Sequence, residues 1–313
     1  MLRSFFIYLS KLSWAQRSIS QWRFARLAAG RFVAGDTVES ALVVSRELNA
    51  HGIWVSLDHL GENTATREDA DRATGDILTA IHSLGPKGIK GNVSIKLTQI
   101  GMLLDEPFAR QNLIRILACA RENHNFIRLD MEDSACVEKT LLVYEWARQL
   151  GYDNLGVVIQ AYLYRSEDDV RRLLKLSGRI RLVKGAYQEP AQVAFPLKKD
   201  VDRNFDNLTS LIMAATPQAG SDRVPPFLAL ATHDRARIDF AIQQAKKLGV
   251  PREAYEFQML YGIRRDVQAQ LVSEGFAVRV YVPYGTHWYP YFMRRLAERP
   301  ANTWFFLSNL VRG

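Results

Sequence analysis

The stretch VRVYVPYGTHWYPYFMRRLAERPANTW (residues 278–304) combines a strand pattern, a glycine turn and a helical pattern. Valine occupies every second position of VRVYV, and β-branched residues in this alternation are typical of a strand in the interior of a sheet. Pro283 and Gly285 predict the end of that strand. The helix-compatible run YFMRRLAER follows, and Pro300 predicts its end because proline cannot extend a helix. The stretch therefore predicts a buried strand that leads through a turn into a helix.

The helix of this stretch carries two adjacent arginines. Arg294 and Arg295 offer planar, bidentate recognition of a carboxylate or a phosphate. Glu298 lies four residues after Arg294, on the same helix face, and can orient its guanidinium group. Tyr281 and Tyr291 can supply apolar walls beside the pair. The pattern predicts a site for a small anionic substrate; the alternative is a solvated basic helix face that holds one Arg–Glu pair.

Outside this stretch, apolar β-rich segments alternate regularly with amphipathic helical segments. Eight such strand–helix units predict a closed parallel (βα)8 barrel, the TIM barrel, with extra N-terminal helices. A doubly wound sheet is the alternative, but no GxGxxG follows the first strand. The predicted strands are IWVSLD (53–58), VSIKL (93–97), FIRLD (126–130), LGVVIQ (155–160), IRLVKG (180–185), FLALAT (227–232), YEFQML (255–260) and VRVYV (278–282).

The net charge of +8 is concentrated at the N-terminus. Six of the 41 basic residues and none of the 33 acidic residues lie within residues 1–35, so the remaining chain has 35 basic residues and is nearly neutral. This distribution argues against a nucleic-acid partner. It divides the chain into a basic amphipathic leader, residues 1–35, and a barrel domain that carries the catalytic site, residues 36–313.

The leader has apolar residues at helical spacing on one side, namely Leu2, Phe5, Phe6, Leu9 and Leu12, with basic residues flanking them. Its longest apolar run, FFIYL, is far too short to span a bilayer. The pattern predicts a helix that lies in the membrane interface and gives peripheral membrane contact. The alternatives are an ordinary helix packed on the barrel and a mitochondrial presequence.

Polar side chains stand at the C-terminal ends of the predicted strands, where catalytic groups of such barrels lie. Charges inside apolar strands cost free energy unless they are paired, so Lys96, Asp130, Arg181 and Lys184 are expected to form one compensated network in the barrel mouth. This network is a candidate active site, and the alternative is a purely structural ion network. The chain has two cysteines and no CxxC spacing, which favours a reducing, cytoplasmic compartment.

Six motifs in order, from about residue 90 to residue 304, resemble those of the proline dehydrogenases, flavoenzymes that oxidise L-proline to 1-pyrroline-5-carboxylate. RLVKGAY and RRLAE are the specific ones, and KLT or ATH alone would be weak. The resemblance implies FAD at the barrel mouth. The segments that carry it are VSIKLTQIG, IRLDMED, VVIQAYLYR, RLVKGAY, LATHD with YEFQMLYG, and RVYVPYG followed by YFMRRLAE.

The resemblance also implies residue roles. Asp130 and Arg181 are the expected catalytic residues, with Arg181 stabilising charge that the flavin gains on reduction. The expected substrate-binding residues are Lys96, Arg294, Arg295, Glu298, Tyr281, Tyr291 and Leu260, of which the two arginines bind the substrate carboxylate. The expected cofactor-binding residues are Met131, Gln160, Arg181, Lys184, Gly185, Ala186, Thr232, His233 and Gln258, and no metal is expected.

The family implies a membrane quinone as electron acceptor, with the protein in the cytoplasm and in contact with the inner face of the membrane. The chain has no second domain to oxidise the product, so a separate pyrroline-5-carboxylate dehydrogenase is implied. A rival hypothesis is a metal-dependent barrel hydrolase, although the chain has no HxH or HExxH spacing; its candidate ligands are Asp58, His59, Asp130, Glu132 and His233. A non-enzymatic basic protein that binds membranes or nucleic acid would leave the polar strand ends unused.

Overall fold

The computed structural model of this chain describes residues 23–62, 64–85, 87–216 and 225–298. Eight parallel strands pair in sequence order, and the first strand pairs with the last, which closes a barrel. The prediction of a (βα)8 barrel is confirmed. The strands are β1 (Trp54–His59), β2 (Gly91–Ile95), β3 (Ile127–Leu129), β4 (Leu155–Gln160), β5 (Arg179–Val183), β6 (Leu228–Ala231), β7 (Tyr255–Leu260) and β8 (Val278–Tyr284).

Helices surround the barrel and follow its strands. Their N-termini are capped in the expected way where Thr66 and Asp105 accept hydrogen bonds from the backbone of the first turn. The helices are α1 (Arg23–Ala29), α2 (Val38–Ala50), α3 (Arg67–Leu84), α4 (Glu106–Glu122), α5 (Ser134–Gln149), α6 (Ser166–Leu174), α7 (Lys198–Ala214), α8 (Arg235–Leu248), α9 (Arg265–Ser273) and α10 (Trp288–Glu298), with a 3₁₀ turn at Arg252–Ala254.

The end of β8 differs from the prediction. The strand continues through Pro283 to Tyr284, and Pro283 stands opposite Asp58 of β1. Proline lacks a backbone donor but keeps its carbonyl oxygen, which accepts a hydrogen bond of 2.8 Å from the N–H group of Ala34. The turn comes at Gly285, whose φ of +119° favours glycine.

The two faces of each strand differ sharply in chemistry. Outward-facing residues such as Val280 and Val282 are fully buried between the sheet and the helices and form the main apolar core. Many of the inward-facing residues are polar or charged. At the barrel floor Arg279 binds Glu256 through bonds of 2.7 and 3.0 Å, and both side chains are buried. Such pairing is what makes this buried charge tolerable.

The described part of the leader packs on the barrel. Ala25, Ala28 and Phe32 belong to a second apolar cluster with Phe292 and Leu296 of α10. The chain then passes so close to the loop after β7 that a side chain at residue 262 would not fit: a Cβ there would lie 1.8 Å from the carbonyl oxygen of residue 31. Residues 23–33 therefore support the helix that carries the two arginines.

The apolar residues on which the interfacial-helix prediction depends, positions 2 to 12, lie outside the described residues. Within the part of the chain that the structure describes, no helix is both long enough and apolar enough to cross a membrane.

Candidate active site

A compact charged cluster occupies the C-terminal end of the barrel. Lys96 follows β2 and donates to Asp58 of β1 over 2.9 Å, and its ammonium nitrogen lies 3.6 Å from Asp130, which follows β3. Arg181 of β5 donates to Asp130 over 2.7 Å, and the hydroxyl group of Tyr281 on β8 donates to it over 2.6 Å. Five strands therefore contribute one side chain each to a network of two cations, two carboxylates and a phenol.

The electrostatics of this cluster fix the protonation of its donors. Burial alone would lower the pKa of Lys96, but the carboxylates of Asp58 and Asp130 outweigh it and raise that pKa. Burial, reinforced by Asp130, raises the pKa of the Tyr281 phenol well above its usual value. Lys96 therefore remains an ammonium and Tyr281 keeps its proton at neutral pH. Neither group can serve as a base there.

Lys184 does not join this network, contrary to the prediction. It binds Asp234 over 2.6 Å and also binds Asp202 of α7. Arg181 and Lys184 are three residues apart, and side chains along a strand alternate between the two faces, so an odd spacing directs them to opposite sides. This odd spacing was readable from the sequence. The acidic partners, one in α7 and one directly before α8, were not.

The arginines of α10 lie at the same end of the barrel. Both guanidinium Nη atoms of Arg294 donate to the carboxylate of Glu62, over 3.1 and 2.6 Å, and both side chains are less than one-fifth exposed. The guanidinium group of Arg294 also lies 5.9 Å from the ring centre of Tyr187. Burial would raise the pKa of Glu62, but Arg294 overcomes this and lowers it. The pair is therefore fully ionised.

Arg295 is buried and its guanidinium carbon lies 5.0 Å from the ring centre of Tyr291. The Glu298 side chain lies outside the described residues, so its proposed pairing with Arg294 stays a prediction. The described partner, Glu62, was missed by sequence reasoning. It is 232 positions away, in a loop after β1 that has no motif, and no signal in the sequence pointed to it.

The expected cofactor residues ring the mouth from β3 to β7. Gln160 donates to the carbonyl oxygen of Glu132 over 3.1 Å, while its Oε1 atom is buried without a partner in the described structure. His233 accepts a hydrogen bond of 3.0 Å at Nε2 from the N–H group of Leu260, so neutral His233 carries its proton on Nδ1. Thr232 accepts from the backbone of residue 234 over 3.1 Å. Gln258 is buried and donates to Glu256.

Gly185 lies just beyond β5, between Lys184 and Ala186. Its φ is +121°, and a Cβ there would lie 2.3 Å from the Tyr162 ring, so glycine is required on both grounds. Met131, directly after Asp130, is buried. These residues line the same end of the barrel as the charged cluster.

The candidate metal ligands are engaged otherwise. Among the residues that the structure describes, no three His, Cys, Asp or Glu side chains are grouped as ligands of a metal ion. Asp58 binds Lys96, and the Glu132 carboxylate accepts from Thr98 over 2.6 Å. The Nδ1 atom of His59 is buried and has no hydrogen-bond partner in the described structure, and His59 belongs to no cluster of three possible metal ligands there.

Fold and site together define an enzyme of the TIM-barrel class whose charged centre lies at the C-terminal ends of the strands. The family model described as Proline dehydrogenase matches residues 41–307. The chain belongs to the proline dehydrogenase family, and its activity is the oxidation of proline in proline catabolism. The family resemblance drawn from the motifs is thereby confirmed.

The relatives agree with this assignment. The chain is 41% identical to Proline dehydrogenase 1 of Bacillus subtilis (strain 168), with 100% of each chain covered. It is 42% identical to the Proline dehydrogenase of Deinococcus radiodurans, over 91% of this chain and 90% of that one. The family assignment thus holds over nearly the full length of both single-activity relatives.

The solved structures include proline utilization A (PutA) from Bdellovibrio bacteriovorus inactivated by N-propargylglycine. It matches 88% of this chain with a TM-score of 0.79 and 25% identity, and this chain spans 33% of its length. The bifunctional protein PutA of Escherichia coli (strain K12) is 31% identical over 90% of this chain, which corresponds to 24% of that protein.

Proposed function

We propose that this chain oxidises L-proline to 1-pyrroline-5-carboxylate with FAD bound at the barrel mouth, and that a membrane quinone receives the electrons. A separate pyrroline-5-carboxylate dehydrogenase would consume the product. One observation carries the proposal: the buried cluster around Lys96 and the arginines of α10 share one end of the barrel. Glu62 connects them, since it binds Arg294 and, with Asp58 and Asp130, raises the pKa of Lys96.

The residues at the mouth fit FAD. Two buried polar atoms on β4 and β5, Oε1 of Gln160 and Nε of Arg181, have no partner in the described structure and can bind a polar ring system. Amide, hydroxyl, imidazole and guanidinium groups lie around them, and such a set of donors and acceptors can bind the polar atoms along the edge of a flavin ring. The residues that would hold it are Met131, Gln160, Arg181, Lys184, Gly185, Ala186, Thr232, His233 and Gln258. FAD, when bound, supplies the two-electron acceptor.

The substrate carboxylate is the natural ligand of Arg294 and Arg295. Two guanidinium groups on successive helix positions bind a carboxylate through charge-assisted hydrogen bonds, and their burial strengthens these bonds. Tyr281, Tyr291 and Leu260 then surround the five-membered ring and exclude water. The role of Glu298 is to assist Arg294 from the same helix.

The charged cluster has an electrostatic role in this proposal. Lys96 is permanently protonated and binds substrate as a fixed cation rather than as a base. Asp130 accepts from both Arg181 and Tyr281, so it holds the Arg181 guanidinium in a single orientation. That guanidinium stabilises the negative charge that reduction brings to the site. Positioning and fixed charge are thus the contribution of this chain to the reaction.

The decisive experiment is an anaerobic titration of the purified protein, followed by its visible spectrum. We expect a yellow protein whose absorbance is bleached by L-proline, and whose denaturation releases intact FAD. A colourless protein that FAD does not reconstitute would contradict the cofactor. A yellow protein whose spectrum L-proline leaves unchanged would contradict the substrate.

The quinone step is tested separately. We expect the bleached protein to regain its absorbance when a soluble quinone is added without oxygen, and the product to react with an aminobenzaldehyde as a cyclic imine does. If L-proline bleaches the protein but the quinone does not restore its absorbance, proline oxidation stands and another electron acceptor is used.

A further inference from the structure

The loop that carries Glu62 is tied to the loop after β2 at two points. On one side of Glu62, the side chain amide of Gln99 donates to the carbonyl oxygen of His59 over 2.7 Å. On the other side, the hydroxyl group of Thr64 donates to the carbonyl oxygen of Thr98 over 3.0 Å. Glu62 therefore lies between two fixed points, and a free loop of this length would not hold its carboxylate in one place.

The second fixed point is itself held from β3. The carboxylate of Glu132 accepts from the backbone N–H group of Thr98 over 3.2 Å and from its hydroxyl group over 2.6 Å. Glu132 is 5% exposed and Thr98 is 2% exposed, so neither bond competes with bulk water. The carbonyl oxygen of Glu132 accepts from Gln160, which fixes this residue to β4.

These contacts form a path from β4 to α10, in which hydrogen bonds lead to Thr64 and the polypeptide itself connects Thr64 to Glu62, the partner of Arg294. We propose that Glu132, Thr98 and Thr64 are positioning residues that hold Glu62, and through it Arg294, in place for the substrate carboxylate. The inference rests on the proposed function, since it presumes that Arg294 binds that carboxylate. It extends the site to three residues that have no assigned role in the proposed function.

The physical reason is that Arg294 has a long side chain and gains its single orientation from a bidentate partner. Ordering such a side chain costs conformational entropy, which Glu62 offsets before the substrate arrives. When Thr64 no longer holds the loop, Glu62 becomes mobile and the substrate must order both groups. The loss therefore appears in the binding of carboxylate ligands rather than in the chemical step.

The test uses full-length protein with its cofactor. Thr64→Val removes the hydroxyl group and keeps the shape, and we expect KM for L-proline to rise about fivefold to tenfold, as for loss of one partly buried hydrogen bond. We expect kcat to change less than about twofold. The inhibition constant of cyclopentanecarboxylate, a probe that has the carboxylate but no amine, should rise by the same factor.

Two variants of Glu132 test the other end of this hydrogen-bond path. Glu132→Ala should raise KM in the same way, and Glu132→Gln should restore most of the lost affinity, because an amide can accept from the backbone of Thr98 and donate to its hydroxyl group. The matched control is Thr79→Val, which removes an exposed hydroxyl group bonded to Gly75 within α3 over 2.9 Å. This control should leave KM unchanged.

Thr64→Val in an Arg294→Met background should add nothing to the loss caused by Arg294→Met, because the tether acts only through that arginine. Additive losses would overturn the inference. So would a Thr64→Val enzyme with normal KM, or a Glu132→Gln enzyme as damaged as Glu132→Ala. Failure of the proposed function is distinguishable, because then the unmodified protein itself would not be bleached by L-proline.

Discussion

Replacing Arg294 by methionine removes two contributions of this residue at once. The substitution removes a guanidinium group from the proposed carboxylate site and leaves Glu62 without its bidentate partner. Both side chains of the pair are less than one-fifth exposed, so solvent replaces the lost bonds poorly. An unpaired buried charge costs about 3 kcal/mol of unfolding free energy, and loss of one contact to a buried substrate charge costs roughly 2 to 5 kcal/mol.

The expected result is therefore a double loss. Arg294→Met should weaken proline binding by roughly 30-fold to 4000-fold, the equivalent of that free energy, and should lower the free energy of unfolding by about 3 kcal/mol. Steady-state kinetics gives the first quantity and chemical denaturation the second. The proposed FAD should stay bound, because the residues expected to hold it lie on the barrel strands or follow them directly and none lies on α10.

The double variant Glu62→Gln with Arg294→Met distinguishes the two effects. It removes the Glu62 charge that Arg294→Met leaves unpaired, so the free energy of unfolding should recover while KM for L-proline stays high. The matched control is Arg171→Met on α6, whose ion pair with Glu167 is more than half exposed and should contribute at most about 1 kcal/mol. A near-normal KM in Arg294→Met would refute the carboxylate site, and a double variant as unstable as the single one would refute the charge argument.

Three other predictions follow from particular contacts. Lys96→Met leaves the buried carboxylate of Asp58 without its cation, so unfolding free energy should fall by about 3 to 5 kcal/mol and turnover should fall with it, measured by denaturation and by kcat. Burial raises the pKa of Glu132 from 4.5 to about 7. The folded protein therefore binds this proton more tightly than the unfolded chain, and its free energy of unfolding falls as the pH rises between these two pKa values. Glu132→Gln should therefore be more stable than the unmodified protein by about 3 kcal/mol near pH 8 and by less near pH 5, and equal stabilities at both would refute a raised pKa. Finally, a chain that lacks residues 1–22 keeps the helix α1 that supports α10, so it should stay folded yet lose salt-sensitive flotation with anionic liposomes; flotation equal to that of the full chain would contradict the interfacial helix.

Part of the active site was predictable because its residues follow from local patterns. Their position in predicted strands placed Asp130 and Arg181 in the barrel mouth, because strand ends in a parallel barrel meet on one side. Local patterns also explain the errors. The prediction took Lys184 into the network of Arg181 without considering that side chains alternate between the two faces of a strand. It also ended β8 at Pro283, although a proline carbonyl oxygen can still pair.

The sequence by itself determined the order of strands and helices, the closure of the barrel and the family, because these depend on periodicities and motifs within short segments. Only the tertiary structure decided the partners: Asp58 for Lys96, Glu62 for Arg294 and Glu132 for Thr98. The physical reason is that barrel closure sets β1 against β8, which brings the loop after β1 onto α10. Which carboxylate then meets which cation depends on loop paths and side chain lengths in three dimensions, and no local pattern encodes that choice.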